Sequence, residues 1–168
     1  MKKLLIVLAL VMSASAEAQE IKKWKMSDLL AYMEKSTQPL IINFWATFCV
    51  PCVEEIPYFQ EITSSYKSDS VILLLISLDL PSFYPEKIAG FAKKHNITAE
   101  IIWLNETNAD YFCPLIDPRW SGAIPATLFF HGKSGYRKFY EEEISRSKFE
   151  AEVKELIKAG RSDNTDTD

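Results

Sequence analysis

Two hydrophobic patterns alternate along the chain. Leu40–Ala46 (LIINFWA) and Val71–Leu80 (VILLLISLDL) are nearly continuous apolar runs, the pattern of strands buried on both faces. Between and after them, apolar residues recur at helical spacing. Ile56, Phe59, Ile62 and Tyr66 stand three or four residues apart, and Ile88, Phe91 and Ala92 mark a further helix. Ile21–Lys25 predicts a short edge strand. Ser27 or Asp28 then caps a helical stretch with Leu29, Leu30 and Met33 on one side, ending at the turn-like Ser36–Pro39. Ile101–Leu104 predicts another strand. Ala126–Phe130 and Tyr136–Tyr140 flank a glycine-containing turn, His131–Gly135, which predicts a β-hairpin. Ser147-Lys148-Phe149-Glu150 has the form of a capping box opening a last helix, with Phe149, Val153, Leu156 and Ile157 inward. Gly160 is expected to stop it, leaving Arg161–Asp168 as a disordered polar tail. The order is βαβαβ, a further helix and strand, then ββα. It predicts an α/β domain at 19–160, a central mixed β-sheet with helices on both faces.

The N-terminus carries a different pattern. Lys2 and Lys3 precede nine apolar residues, Leu4–Met12, and small residues then lead to Ala16-Glu17-Ala18 before Gln19. These are the three parts of a secretory signal peptide, so residues 1–18 are expected to be removed on export. The alternative, an uncleaved anchor, meets the difficulty that a helix needs about 20 apolar residues to cross a bilayer. No cysteine near the cleavage region could accept a lipid. The expected location is across the cytoplasmic membrane, periplasmic or otherwise extracytoplasmic.

Composition narrows the chemistry. The 168 residues are 48% hydrophobic and 25% charged, enough apolar content for a core and too much for a disordered chain. The net charge of −4, which cleavage would make one unit more negative, gives no reason to expect nucleic acid. Three cysteines are too few for a disulfide-stapled scaffold. Cysteine chemistry must therefore be local.

Cys49-Val50-Pro51-Cys52 is a C-x-x-C pair placed directly after a buried strand and at the start of a helix. A helix N-terminus favours an anion, and the thiolate is both that anion and the nucleophile of disulfide exchange. Cys52, one turn later, is placed to attack a mixed disulfide formed by Cys49. Pro51 has no N–H to donate and costs little near a helix start. The competing reading, half of a zinc site, must draw its other ligands from Cys113, His95 and His131, and no second paired motif exists. No metal is expected.

The stretch Asn43-Phe44-Trp45-Ala46-Thr47-Phe48-Cys49-Val50-Pro51-Cys52 resembles the thioredoxin active-site segment, and within that superfamily the exported TlpA/ResA-type thiol-disulfide oxidoreductases. Pro57, five residues after Cys52, matches the helix-kinking proline of that fold. Ile124-Pro125 falls where thioredoxin-like proteins hold a cis-proline loop beside the cysteines. The helix and strand between Leu80 and Pro125 resemble the TlpA-like insertion. The resemblance runs from Ile21 to Ile157 and implies a thioredoxin-like fold with no cofactor beyond a Cys49–Cys52 disulfide.

The resemblance also assigns roles. Asn43 stands where cytoplasmic thioredoxins carry a buried acid, and an amide cannot take a proton at ordinary pH. Glu55, three residues after Cys52, is the expected proton carrier, against the plainer reading of a solvated helix glutamate like Glu54. Pro125 is expected to be cis, with the Ile124 backbone pairing with an extended substrate. Val50, Pro51 and the neighbouring Phe48 would give the cysteines an apolar surround for a docking polypeptide. Trp45 is open to two readings, substrate contact or core. Cys113, beside Tyr111-Phe112, reads as a buried small hydrophobe, with a regulatory thiol as the alternative. His95 and His131 read as helix-end and turn residues, and Glu141–Glu143 as a solvated face.

The expected function is reduction of disulfides in exported proteins, with cytochrome c maturation as one setting and a membrane thiol carrier as electron donor. A disulfide oxidant or isomerase on the same fold is the first alternative, and a non-catalytic binding or assembly module the second. Peroxidase chemistry fits less well, because peroxiredoxins pair their cysteine with a threonine three positions earlier, and Thr47 is two before Cys49.

Overall fold

The computed structural model describes residues 19–162. The expected signal peptide and the tail beyond residue 162 lie outside them. The strands are β1 (Lys22–Trp24), β2 (Leu40–Trp45), β3 (Ile72–Ser77), β4 (Glu100–Leu104), β5 (Ala126–His131) and β6 (Tyr136–Tyr140). The helices are α1 (Met26–Lys35), α2 (Val50–Ser65), α3 (Glu86–Lys94), α4 (Ala109–Ile116) and α5 (Arg146–Ser162). All six strands form one sheet in the order β1-β4-β3-β2-β5-β6. β1, β4, β3 and β2 run parallel, while β5 pairs antiparallel with β2 and β6 antiparallel with β5.

Strand β2 lies inside this sheet and is buried along its whole length, which is why its sequence reads as unbroken apolar. Its side chains alternate between two cores. Ile41 and Trp45 pack with Ile56, Phe59, Ile88 and Phe149 beneath α2, α3 and α5. Leu40, Ile42 and Phe44 pack with Leu29, Met33, Phe112 and Ile116 beneath α1 and α4. By the same alternation Asn43 faces the α2 side. Phe59 of α2 stacks on Phe149 of α5, ring centroids 3.7 Å apart, and Tyr58 donates its hydroxyl to the Ile144 carbonyl at 2.5 Å. These contacts fix α2 against both the sheet and the segment leading into α5.

Several elements differ from the sequence expectation. Helix α1 begins at Met26, and Asp28 accepts the Lys25 N–H at 2.8 Å, acting inside the first turn rather than as its cap. Strand β3 ends at Ser77, because Asp79 turns back toward the loop after β2. Helix α4 was not expected. It spans only eight residues and contains Pro114, a pattern that reads as a loop. Helix α5 starts at Arg146, one residue before the expected capping box. Ser145 accepts the Lys148 N–H through its hydroxyl and the Phe149 N–H through its carbonyl. Nor does Gly160 end the helix. Arg161 and Ser162 are helical, so the polar tail does not begin at Arg161, whose guanidinium pairs with Asp69. A Cβ at position 160 would sit 3.3 Å from His131 Nε2, so this glycine admits a close approach of α5 to β5.

Candidate active site

Cys49 and Cys52 are joined by a disulfide across the first turn of α2, their Cα atoms 5.3 Å apart. Cys49 is the N-cap residue. Its backbone N–H donates to the Ala46 carbonyl at 3.0 Å, and its sulfur accepts the Cys52 N–H at 3.4 Å. Pro51 occupies the first turn, where its missing N–H leaves nothing unsatisfied. A sulfur placed here faces the free N–H groups of the helix start, which stabilise it as an anion. Cys49 keeps a small exposed edge and Cys52 none. An incoming disulfide therefore meets Cys49 first.

Glu55 lies one turn beyond Cys52 on the same buried face of α2. Its side chain is wholly shielded from solvent, unlike that of Glu54, which is exposed. Asn43 Nδ2 donates to Glu55 Oε1 at 2.8 Å, and the Ile144 N–H donates to Oε2 at 3.1 Å. Burial raises the Glu55 carboxyl to about 7, and the nearby Glu143 charge adds to the effect. The two hydrogen bonds oppose that rise without cancelling it. An acid poised near neutrality, beside the buried cysteine, can accept and return a proton.

The loop between β2 and Cys49 is held from below. The Thr47 N–H donates to both carboxylate oxygens of Asp79 at 3.1 Å, and the Thr47 hydroxyl donates to Oδ1 at 2.6 Å. Ser77 donates its hydroxyl to Asp79 Oδ2 at 2.9 Å, and Trp103 Nε1 donates to the Asp79 carbonyl at 2.8 Å. Sequence reasoning missed Asp79. The available signal was one acid at the end of an otherwise apolar run. The Thr47 hydroxyl is thereby engaged with Asp79.

The Ile124–Pro125 bond is cis, with Pro125 buried and Ile124 half-buried. A second cis bond joins Tyr84 and Pro85. The loop leading to Ile124 is clamped by Glu141, which accepts the N–H groups of Ser121 and Ala123, each at 3.0 Å, while Trp120 Nε1 donates to the Ala123 carbonyl at 2.9 Å. The Glu141–Glu143 run is thus not simply a solvated face. Glu141 anchors this loop, Glu142 pairs with Lys148 at 2.7 Å, and Glu143 adds charge beside Glu55.

Of the expected substrate contacts, Val50 is 66% exposed and Pro51 half-buried, and neighbouring Phe48 is 66% exposed. Leu80, next to the Asp79 clamp, is 62% exposed and extends this apolar rim. Trp45 resolves the other way. It is wholly buried in the α2-side core, its ring 6.0 Å from that of Phe91, and offers no surface to a docking chain. Cys113 is 3% exposed in the opposite core, as a small hydrophobe. Burial, with Glu141 and Asp110 adding, pushes its thiol up to about 11, which keeps it protonated. His131 is a buried strand residue rather than part of the turn, bonded through Nδ1 to Ser134 Oγ at 2.8 Å. Among the described residues, no group of three or more His, Cys, Asp or Glu side chains could hold a metal ion, and no helix is long and apolar enough to cross a membrane.

Comparison with known proteins agrees with this geometry. Thiol-disulfide oxidoreductase ResA of Oceanobacillus iheyensis is 34% identical over 67 residues, covering 37% of this chain and 35% of that protein. Sporulation thiol-disulfide oxidoreductase A of Bacillus subtilis is 32% identical over 65 residues, 39% of each chain. These alignments span little more than a third of the relatives' length. Among solved structures, a thioredoxin-related protein from Neisseria meningitidis serogroup B superposes with a TM-score of 0.61 at 26% identity, over 76% of this chain and 87% of that one. StoA from Bacillus subtilis superposes at 0.53 with 24% identity, over 71% and 84%, a likeness of fold. The resemblance to ResA-type proteins drawn from the cysteine segment is borne out by these relatives. The AhpC/TSA family model matches residues 9–134, a range that takes in both cysteines, Glu55, Asp79 and the Ile124–Pro125 bond, and the chain belongs to that family, with a thioredoxin-like fold.

Proposed function

We propose that this protein is an extracytoplasmic thiol-disulfide oxidoreductase that reduces disulfides in exported proteins. The observation that carries the reading is the placement of Cys49 at the start of α2 with a buried, near-neutral acid one turn past Cys52. In the reduced enzyme, the Cys49 thiolate attacks one sulfur of a client disulfide. A mixed disulfide forms, and the client's other sulfur leaves as a thiolate that takes a proton from water. Cys52 then gives its proton to Glu55, and its thiolate attacks the Cys49 sulfur. The second client thiolate leaves, and the enzyme holds the Cys49–Cys52 disulfide. Two electrons have passed to the client. A dithiol carrier at the membrane restores the enzyme by the reverse exchange, and Glu55 returns its proton to Cys52. No cofactor beyond the cysteine pair enters these steps.

Phe48, Val50 and Pro51 supply the apolar surface against which an extended client segment rests, and the backbone of Ile124 lies where it can pair with that segment. Trp45 supports the cysteines from within the core. Export rests on the pattern of residues 1–18, and cytochrome c maturation is one setting in which such a reductant works. The family match leaves peroxidase chemistry to be weighed, and the engagement of the Thr47 hydroxyl with Asp79 disfavours it.

The test is an equilibrium titration of the protein from Gln19 onward in glutathione and dithiothreitol buffers, followed by tryptophan fluorescence. A reversible two-electron transition well below about −200 mV supports a reductant. A potential near the oxidising end, about −120 mV, supports the oxidant. Absence of any reversible transition supports a binding module.

A further inference from the structure

Asn43 is an amide in a strand that is otherwise apolar, and it faces Glu55 from the sheet. It stands directly opposite Thr127 in the antiparallel β2–β5 register, and both side chains are wholly buried. The two N–H bonds of its amide have two acceptors, Glu55 Oε1 at 2.8 Å and Thr127 Oγ1 at 3.0 Å. Its carbonyl oxygen, Oδ1, is buried with no partner. Buried polar atoms seldom go unpartnered, and each one left so carries a cost.

The hydrogen-bond inventory around Glu55 explains what that orphan oxygen is for. As a carboxylate, Glu55 only accepts, and both its oxygens meet donors: Asn43 Nδ2 and the Ile144 N–H. Once protonated it must donate, yet it faces two donors. The Ile144 N–H belongs to a backbone segment pinned by Tyr58 and cannot reverse. An amide can, because a half-turn about its last torsion exchanges Nδ2 for Oδ1. A hydroxyl can as well, because its hydrogen rotates. After both turn, Glu55 and Thr127 each donate to Oδ1, so these contacts number the same as in the ionised state, while the amide NH2 moves into the place of the unpartnered oxygen.

We propose that Asn43, steadied by Thr127, is the positioning residue for the Glu55 proton, its amide presenting a donor edge to the carboxylate and an acceptor edge to the carboxylic acid. This rests on the reading of Glu55 as the proton carrier, and it adds why an amide occupies position 43. A second acid there would compete for the proton. An apolar residue would leave Glu55 Oε1 without a partner in either state, with only the Ile144 N–H remaining on Oε2. The other ionisable groups around Glu55 are Cys49, Cys52, Glu54 and Tyr58 from the start and body of α2, and Glu143 from the segment before α5. β2 and β5 contribute Asn43 and Thr127, neither of which titrates.

The experiment is a pH titration of the reduced protein by NMR, reading the Glu55 carboxyl carbon and the Asn43 side-chain NH2 together. In the unaltered chain the Asn43 signals are expected to shift with the same midpoint as Glu55. Asn43→Leu, close in shape, removes the donor to the charged form, the stronger of the two partnerships, so the Glu55 proton is expected to be held about tenfold more tightly. Thr127→Val is a milder variant that covers failure of the first to fold, with a smaller shift in the same direction. An Asn43 amide that ignores the Glu55 titration would overturn the proposal. So would a Glu55 midpoint unchanged by a folded Asn43→Leu or Thr127→Val. The pH dependence of the exchange rate is read in parallel. If Glu55 titrates with Asn43 but the rate profile ignores both, Asn43 positions the proton and Glu55 is not the carrier.

Discussion

Thr47 gives both its backbone N–H and its hydroxyl to the Asp79 carboxylate two residues before Cys49, and the end of β3 thereby holds the approach to the reactive sulfur. Asp79 is itself buried and takes a further hydrogen bond from Ser77. Asp79→Ala strands several donors at once and is expected to lower stability by about 2 kcal/mol. It should also slow exchange by freeing the Thr47–Phe48 segment. Asp79→Asn keeps one acceptor oxygen and should recover part of both losses. Urea unfolding and disulfide-exchange rates on the two variants measure this.

Glu55 makes folding pH-dependent in a direction unusual for a carboxylate. Burial raises its pKa from 4.5 to about 7, so the folded state binds this proton more tightly than the unfolded chain does. The stability contributed by the group is therefore full below 4.5 and falls as pH rises to about 7. Linkage puts the loss at roughly 3 kcal/mol. Glu55→Gln should flatten the change in unfolding free energy between about pH 5 and pH 8, while Glu54→Gln should reproduce the original slope. The same pair of variants should separate in the pH profile of exchange, with only Glu55→Gln altering it.

Phe48 and Val50 are both exposed beside the cysteines, and the proposed function assigns them to client docking. Phe48→Ser and Val50→Ser should change stability by no more than about 0.5 kcal/mol, as surface substitutions do. Reduction of a folded protein client should slow roughly fivefold in kcat/KM for each, and more than reduction of a small aliphatic disulfide does. Trp45→Ala, by contrast, should cost about 3–5 kcal/mol by opening the core.

Cys113 should be silent in the native protein. In the reduced chain a thiol reagent is expected to label Cys49 and then Cys52, and to reach Cys113 only after denaturant is added, because that thiol is buried and held protonated. Stoichiometry of labelling before and after unfolding checks this.

Which of these features the sequence makes visible follows from how far each depends on the rest of the chain. The Leu40–Ala46 run and the C-x-x-C after it are local patterns, and both were legible. Trp45 could have been settled from the same run, since a strand buried on both faces leaves no exposed ring. The burial of Glu55 follows from its helical spacing to Cys52 and Phe59, which Glu54 does not share, whereas its assignment as proton carrier came from family resemblance alone. The pairing of Asn43 with Thr127 depends on a strand register across 84 residues of chain, which no local pattern carries. Asp79 hid in an apolar run, and α4 behind Pro114. Glu141 looked like one charge among three until the Ser121–Ala123 loop was seen folded onto it.

The central claim, that Cys49 is the attacking sulfur and Cys52 the resolving one, is tested most directly by trapping with Cys52→Ser in the otherwise unaltered chain. Incubated with a disulfide-bonded exported protein, this variant is expected to accumulate a mixed disulfide mapped by mass spectrometry to Cys49, while Cys49→Ser accumulates none. Adducts on Cys49→Ser through Cys52, or no adduct on either variant, would contradict the account.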